Sequence, residues 1–414
     1  MWKTPATPRL SSAPAPVEGS LLIRCSLGAT LLLAVTAGSA LAQEQSTGLE
    51  IAGLPALGYD ADEGYGYGVM AQVYQYGDGG PQPYVWTLQP KVFLTTRGRR
   101  DLTLFFDAPA LLPGGWRVDG YLGLENKVTT PYYGIGNATV YDEVLEDPSG
   151  PDPHFYAIGR LRRIARFTLQ RPLAESPLRV LFGAGLVSNE VDPVPKDEGA
   201  TLYAGQVGTA LQEYWSNFVR AGIVWDTRDR ETAPRRGAWT ELLVQRVDES
   251  LGADVSFTRW TFIDRRYFPL GERLVLAHRY LLQGVSGDAP TDQLQLVETS
   301  FREGEGLGGS STIRGLLKNR YTGRGMLVWN TELRWRMVDF AMFGRRLHIA
   351  SSAFLDQGRV WAGGVRPGEL LSDLHRGYGG GLHGGMGENF VASLYAGTSS
   401  ETAVKLYIGL GYLY

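Results

Sequence analysis

After residue 42 the chain alternates large apolar and polar side chains with a period of two. The runs last about ten residues or more, the length a tilted β-strand needs to cross a bilayer. In Trp116–Glu125, Trp116, Val118, Leu122 and Leu124 share a face with Gly120, opposite Arg117, Asp119, Tyr121, Glu125 and Gly123. In Leu327–Met337, Leu327, Trp329, Thr331, Leu333, Trp335 and Met337 oppose Val328, Asn330, Glu332, Arg334 and Arg336. At the end, Val404, Leu406, Ile408, Leu410, Tyr412 and Tyr414 form one face against Lys405, Tyr407, Gly409, Gly411 and Leu413. Soluble sandwiches alternate too, but their strands average about 5–6 residues and turn the polar face outward. Long runs with charge opposite the large aromatics fit a wall that is greasy outside and wet inside. The fold expected is all-β, a transmembrane antiparallel β-barrel. No stretch after residue 42 is apolar for long enough to be a transmembrane helix.

Fifteen such runs begin near residues 66, 83, 101, 116, 155, 177, 216, 236, 254, 273, 325, 347, 376, 389 and 404. A closed barrel with both termini on one side needs an even number, so sixteen strands are expected. The missing one is expected within 127–172, where Gly134–Asn137 and the basic run Arg160–Arg166 blur the alternation. Closure matters because an open sheet edge in hydrocarbon leaves each backbone N–H and C=O unpaired, at several kcal/mol apiece. Two long connections, Lys127–His154 and Asp288–Gly323, read as extracellular loops.

The first 42 residues read as an export signal. A basic lead (Lys3, Arg9, Arg24) precedes the apolar stretch Leu27–Ala37 and a small-residue cleavage site, Ala40-Leu41-Ala42. The expected organisation is a signal peptide at 1–42, a short periplasmic lead at 43–57 and a barrel at 58–414. Removing Lys3, Arg9, Arg24 and Glu18 takes the net charge from −3 to −5, and Cys25, the single cysteine, leaves with the signal. An acidic chain argues against a nucleic-acid partner. One cysteine excludes a disulfide scaffold and any thiolate metal site.

The connection before the strand at 325 carries the most specific pattern: Gly306-Leu307-Gly308-Gly309-Ser310-Ser311-Thr312-Ile313-Arg314-Gly315-Leu316, then Gly323-Arg324-Gly325 and Asn330-Thr331-Glu332-Leu333-Arg334. Phe354-Leu355-Asp356-Gln357-Gly358 follows on a later strand. Trp225-Asp226-Thr227-Arg228-Asp229, Pro234 and Gly237 mark a turn, and Tyr132-Tyr133-Gly134-Ile135-Gly136-Asn137 a loop. Together these resemble the BamA/TamA-type outer-membrane assembly factors, the bacterial surface-antigen barrels. The resemblance spans roughly Leu54 to Tyr414, with Leu316 replacing the aromatic of the family's loop tip. It implies a sixth extracellular loop folded back into the lumen, an F/G-x-D-x-G motif on the thirteenth strand, and the Trp225–Gly237 turn between strands eight and nine. That family carries periplasmic POTRA domains ahead of the barrel, and residues 43–57 leave no room for one, so a stand-alone barrel is expected.

The side-chain chemistry points the same way. Alternation in Leu347–Gly358 puts Leu347, Ile349 and Leu355 on one face and His348, Ser352, Phe354 and Asp356 on the other. An arginine on an infolded loop would meet Asp356 with a bidentate, charge-assisted contact, and Gly315 and Gly358 allow close backbone approach. The expected latch is Arg314–Asp356 with Glu332 as a further acceptor, flanked by Ile313, Gly315, Leu316 and Gly358. Apart from the resemblance, the same residues also fit a solvated loop-tip arginine beside a lumenal aspartate that only tunes pore charge.

The ending Tyr407-Ile408-Gly409-Leu410-Gly411-Tyr412-Leu413-Tyr414 resembles the terminal recognition strand of outer-membrane proteins, with Tyr407, Gly409, Tyr412 and Tyr414 as the assembly signal. In the resembled family the first and last strands meet at a weak seam, where glycines such as Gly66, Gly68, Gly409 and Gly411 lower pairing stability. Those glycines equally fit small residues making room in a lumen or at a bend.

Catalytic patterns are missing. His154, His278, His348, His375 and His383 show no metal-ligand spacing, and no G-x-S-x-G occurs. His383-Gly384-Gly385 lacks the neighbouring serine a phospholipase would need, and Gly64-Tyr65-Gly66-Tyr67-Gly68 is not followed by a helix. No enzyme activity, cofactor or metal is expected. The expected partners are outer-membrane lipid and, with this chain as client, the barrel assembly machinery; a separate periplasmic partner is compatible with the pattern. Location in the outer membrane of a Gram-negative bacterium follows. Two readings of function stay open: assistance to protein or lipid insertion or translocation, and a passive pore or structural barrel.

Overall fold

The computed structural model describes residues 47–414 except 61–63, 79–83, 110, 148, 232, 302, 343–344 and 387–389. The expected signal peptide and residues 43–46 of the expected lead lie outside the described residues.

Each alternating run becomes one strand of a single antiparallel sheet. The strands are β1 (Leu49–Asp60), β2 (Gly64–Gln75), β3 (Trp86–Thr95), β4 (Arg99–Ala108), β5 (Arg117–Pro131), β6 (Ala157–Pro172) and β7 (Leu178–Asp192). β8 comes in two pieces, Gln212–Trp215 and Phe218–Asp226, both paired with β7. Then follow β9 (Gly237–Val247), β10 (Phe257–Pro269), β11 (Leu274–Gly287), β12 (Gly325–Met342), β13 (Arg345–Trp361), β14 (His375–Met386), β15 (Phe390–Ser399) and β16 (Lys405–Leu410). Each pairs with the next, and β16 returns to β1, giving a closed barrel of sixteen strands.

The strand that the alternation missed is β1, not a segment within 127–172. That region holds the end of β5, a loop and β6. Residues 49–57, expected as a periplasmic lead, belong to β1, which pairs along its whole length with β2. Gly53, Pro55 and Gly58 interrupt its apolar pattern. Leu49, Ile51 and Leu57 nonetheless lie exposed on its outer face.

The two faces separate by chemistry. Leu122, Leu186, Ile223, Leu242, Trp335, Leu382 and Ile408 are exposed outside, while Asp101, Asp119, Arg162, Arg220, Glu241, Arg259, Glu332 and Asp356 are buried inside. Connections at one end are long, above all residues 132–156, 193–211, 288–324 and 362–374, and a short helix, α1 (Leu202–Val207), sits in the second of these. Those at the other end are short, and the start of β1 and Tyr414 lie there. The sheet is weakest at its closure. β1 and β16 share two residue pairs, Tyr59↔Ile408 and Asp60↔Tyr407. The last strand stops at Leu410, earlier than the alternation implied. Gly411 takes the left-handed conformation (φ 80°), which turns Tyr412–Tyr414 out of the wall. Among the described residues no helix is long and apolar enough to cross a membrane.

Spin labels at Leu122→Cys and Asp119→Cys, in lipid nanodiscs, test the two faces. The first should respond to dissolved oxygen in the hydrocarbon and the second to a water-soluble nickel chelate. A reversed pattern would refute the register.

Candidate functional site

The long segment between β11 and β12 packs against the inner face of the barrel. Its tip places Arg314, fully buried, against two carboxylates of the wall. Nε and Nη2 donate to Asp356 Oδ2 and Oδ1 at 2.8 and 2.9 Å, and the Arg314 backbone N–H donates to Oδ2 at 3.0 Å. Nη1 donates to Glu332 Oε2 at 2.6 Å. β12 and β13 hold these acceptors side by side, Asp356 opposite Asn330 and Glu332 opposite Phe354. The guanidinium lies over the rings of Phe354, 3.6 Å from its centroid, and Tyr395, at 4.6 Å, which adds cation–π attraction. Burial works against the charge, but Asp356 and then Glu332 outweigh it, so Arg314 binds its proton more tightly than usual.

The neighbouring residues explain the fit. Ile313 and Leu316 are buried in an apolar cluster with Leu307, Met326 and Val360, so Leu316 fills volume where the family tip has an aromatic ring. Gly315 has φ 99°, and a Cβ there would fall 2.5 Å from the Thr398 carbonyl. A Cβ at Gly358 would meet the Leu327 carbonyl at 2.4 Å. The Gly315 N–H donates to the Tyr407 hydroxyl of β16 at 3.2 Å.

The contacts continue to the chain end. Arg334 donates from Nε to Glu332 Oε1 at 2.9 Å and from Nη2 to the Tyr414 carbonyl at 2.8 Å. Its guanidinium sits 4.1 Å from the Tyr412 ring centroid. Tyr414 packs with Tyr267, Val275 and Ala277, and its hydroxyl donates to the Ala277 carbonyl at 3.2 Å. Tyr407, Tyr412 and Tyr414 are thus lumenal. The outward, lipid-facing positions expected for Tyr412 and Tyr414 are corrected, because Gly411 and Arg334 draw the tail inside. A Cβ at Gly409 would meet nothing within 4 Å, so crowding does not account for that glycine.

Elsewhere the motifs serve as fasteners. The Trp225–Gly237 segment does join β8 to β9: Arg228 makes a bidentate contact with Asp226, and the Asp229 carboxylate accepts the Arg235 and Arg236 amides. In the Tyr132–Asn137 loop, Gly136 N–H donates to the Thr322 carbonyl at 2.8 Å, and Asn137 Oδ1 accepts from Val360 N at 3.0 Å. Arg320 of the long segment pairs with Glu401 at 2.7 Å. His383 does have serine neighbours, contrary to the expectation: its Nε2 is 2.9 Å from Ser352 Oγ and its Nδ1 2.8 Å from Ser393 Oγ. Ser393 itself donates to the Gly411 carbonyl, and the Tyr395 and Tyr412 rings cover the imidazole.

One part of the site was missed. Leu296–Val297 pairs with Gly304–Glu305, and the finger between them descends the lumen. Phe301 lies against Arg117, the first residue of β5, and Trp239, the third of β9, both at the short-turn end. Glu303 pairs with Arg162 at 2.6 Å, Glu305 with Lys127 and Lys318, and Glu298 with Arg220. The signal was present: Arg160, Arg162 and Arg166 recur at even spacing on β6, which is one inward face, and three glutamates recur in the loop. Among the described residues, no group of three or more His, Cys, Asp or Glu is placed to hold a metal ion.

A model of the Omp85 superfamily domain matches residues 99–385. The chain belongs to the Omp85 superfamily. Two solved Omp85-like barrels are similar to it in fold. BamA from Haemophilus ducreyi lacking POTRA domains 1–3 is 13% identical with TM-score 0.56, over 88% of this chain and 70% of that one. CdiB from Escherichia coli is 12% identical with TM-score 0.53, over 90% of this chain and 64% of that one. No curated protein sequence matches. The Omp85 barrel lies in the outer membrane of a Gram-negative bacterium, so its long loops are extracellular and its short turns periplasmic.

Two outcomes test this site. Arg314→Ala strands Asp356 and Glu332 in the protein interior at a cost of about 3–5 kcal/mol. It should lower the temperature at which the barrel loses its heat-modifiable gel mobility, whereas Arg314→Met with Asp356→Leu should recover part of the loss. Second, burial tends to raise the Glu303 carboxyl, but Arg162, Arg166 and Arg259 hold it down at about 2. Its folded value is below the unfolded ~4.3, so its stabilisation is complete above that pH and lost as pH falls toward 2. Conductance in planar bilayers should stay flat above about pH 5 and rise below it.

Proposed function

We propose that this Omp85 barrel assists the insertion or translocation of polypeptide at the outer membrane, with the β1–β16 junction as its opening element and the sixth loop as its internal brace. The observation that carries this reading is the asymmetry of the wall. β1 is fully paired with β2 but joins β16 through two residue pairs. Directly beside that junction, the loop tip binds Tyr407 of β16 and, through Arg314, Glu332 and Arg334, the final residue of the chain. Opening the junction then exposes a strand edge able to pair with an incoming strand, while the latch keeps β12 and β13 fixed.

The names of the structural neighbours fit a barrel that handles client protein, and lipid surrounds it. A passive pore is the second reading, and the loop and finger that fill part of the lumen count against a wide constitutive channel. The role needs no covalent chemistry, so non-enzymatic action is part of the proposal.

Tyr59→Cys with Ile408→Cys tests it, since directly opposed antiparallel residues lie about 4.5–5.5 Å apart at Cα, within disulfide reach. Residues 43–414 hold no other cysteine. Oxidised protein in proteoliposomes should fail to promote insertion of a client barrel, and reductant should restore it. Equal insertion activity in both states would refute opening at the junction, and no activity in either state would favour the passive reading.

A further inference from the structure

Between Leu296–Val297 and Gly304–Glu305 the finger is a hairpin that bends at Ser300 and Phe301 and lies on a cationic wall. Arg220 grips the Glu298 carboxylate and also donates to the Thr299 and Ser300 carbonyls, at 2.8 and 3.1 Å. Arg166 donates to the Phe301 carbonyl, Arg162 to the Glu303 carboxylate, and Lys127 to Glu305. In return, the Ser300 N–H donates to Glu241 Oε2 at 3.3 Å. Side-chain carboxylates and successive main-chain carbonyls are therefore read together.

The wall has cationic capacity to spare. A cavity of about 170 Å³ beside the finger is lined by Lys91, Arg99, Lys127, Arg160, Arg162 and Arg166 against two wall carboxylates, Asp101 and Glu125. The finger's Glu303 and Glu305 supply the other two acids there. Arg160 Nη1 and the Nε atoms of Arg162, Arg166 and Arg220 are buried without a hydrogen-bond partner among the described residues. Buried donors of this kind are costly unless a ligand or water meets them.

We propose that the lumenal wall from Lys127 through Arg160, Arg162 and Arg166 to Arg220 is a binding tract for acidic polypeptide, and that the finger occupies it as an internal competitor. The proposal rests on the reading that this barrel handles polypeptide. Peptide is favoured over a phosphorylated lipid because the arginines take consecutive backbone carbonyls as well as anionic groups. A phosphate would answer the charge at isolated points and leave that carbonyl register unused.

The test is equilibrium binding to the purified barrel in detergent, read by fluorescence anisotropy of a rhodamine-labelled peptide with the sequence of Glu298–Glu305. A control peptide carries glutamine at its three glutamates. Replacing residues 298–305 by a short Gly-Ser linker should tighten binding of the acidic peptide about tenfold or more, one charge-assisted contact corresponding to roughly that factor. The control peptide should gain nothing. In the same background, Arg162→Gln with Arg166→Gln should reverse the gain. Heat-modifiable mobility verifies folding, and if the linker variant does not fold, the full-length Glu298→Gln, Glu303→Gln, Glu305→Gln variant carries the same comparison. Equal binding of both peptides, no gain, or displacement by inorganic phosphate as effective as by unlabelled acidic peptide would overturn the proposal. The assay involves no insertion or transport, so its failure is separable from failure of the seam crosslink.

Discussion

The constraint on which everything else depends is backbone hydrogen bonding in a solvent that offers none. In hydrocarbon an unpaired amide or carbonyl costs several kcal/mol, so a chain without membrane-length apolar helices can span only by closing a sheet. Closure fixes the rest. Each strand has a lipid face and a lumen face, and most charged side chains in the span turn inside, where they need partners; Arg163, exposed on the outer face of β6, pairs with Glu190 at 3.6 Å. The barrel supplies those partners largely from one loop. The sixth extracellular loop brings Arg314 to Asp356 and Glu332, and its finger brings Glu303 to Arg162 of β6, Glu298 to Arg220 of β8 and Glu305 to Lys127 of β5.

Those contacts share a physical logic. Removing one member of a buried ion pair strands the other, so such groups hold geometry more than they add net stability. Asp356, Arg314, Glu332, Arg334 and the Tyr414 carbonyl form one continuous chain of charge-assisted hydrogen bonds. It ties the loop tip to β12 and β13 and to the end of the polypeptide. The same chain end leaves the wall at Gly411, and this is why the β1–β16 junction is short. Under the proposed function, this brace beside the short junction would hold the remainder of the barrel while the junction opens.

Much of this was legible in the sequence where side-chain period and charge agree. Asp119, Arg117, Glu332 and Asp356 fell on the inner face by alternation alone, whereas Arg314 was matched to Asp356 through the resemblance, which implies an infolded sixth loop. β1 escaped because Gly53, Pro55 and Gly58 dilute a period-two pattern that its backbone nonetheless follows. The final tyrosines kept the alternation, yet one glycine with a positive φ sends them inward, a choice made by Arg334 from another strand. The serines beside His383 lie 31 and 10 residues away in sequence, and only the β13–β14–β15 register brings them together. The finger was hidden for a similar reason: its glutamates look like ordinary loop charge until the lumen is assembled around them.

The central claim is that the sixth loop is held inside the barrel by bonds of its own backbone as well as its side chains. The Arg314 amide donates to Asp356, that of Gly315 to Tyr407 and that of Leu316 to the Ile313 carbonyl. Hydrogen–deuterium exchange on the barrel in nanodiscs measures this directly. The account predicts that the amides of Arg314, Gly315 and Leu316 are protected to the degree seen in β12 and β13. Exchange as fast as that of the exposed loop around Glu143–Glu146 would contradict it.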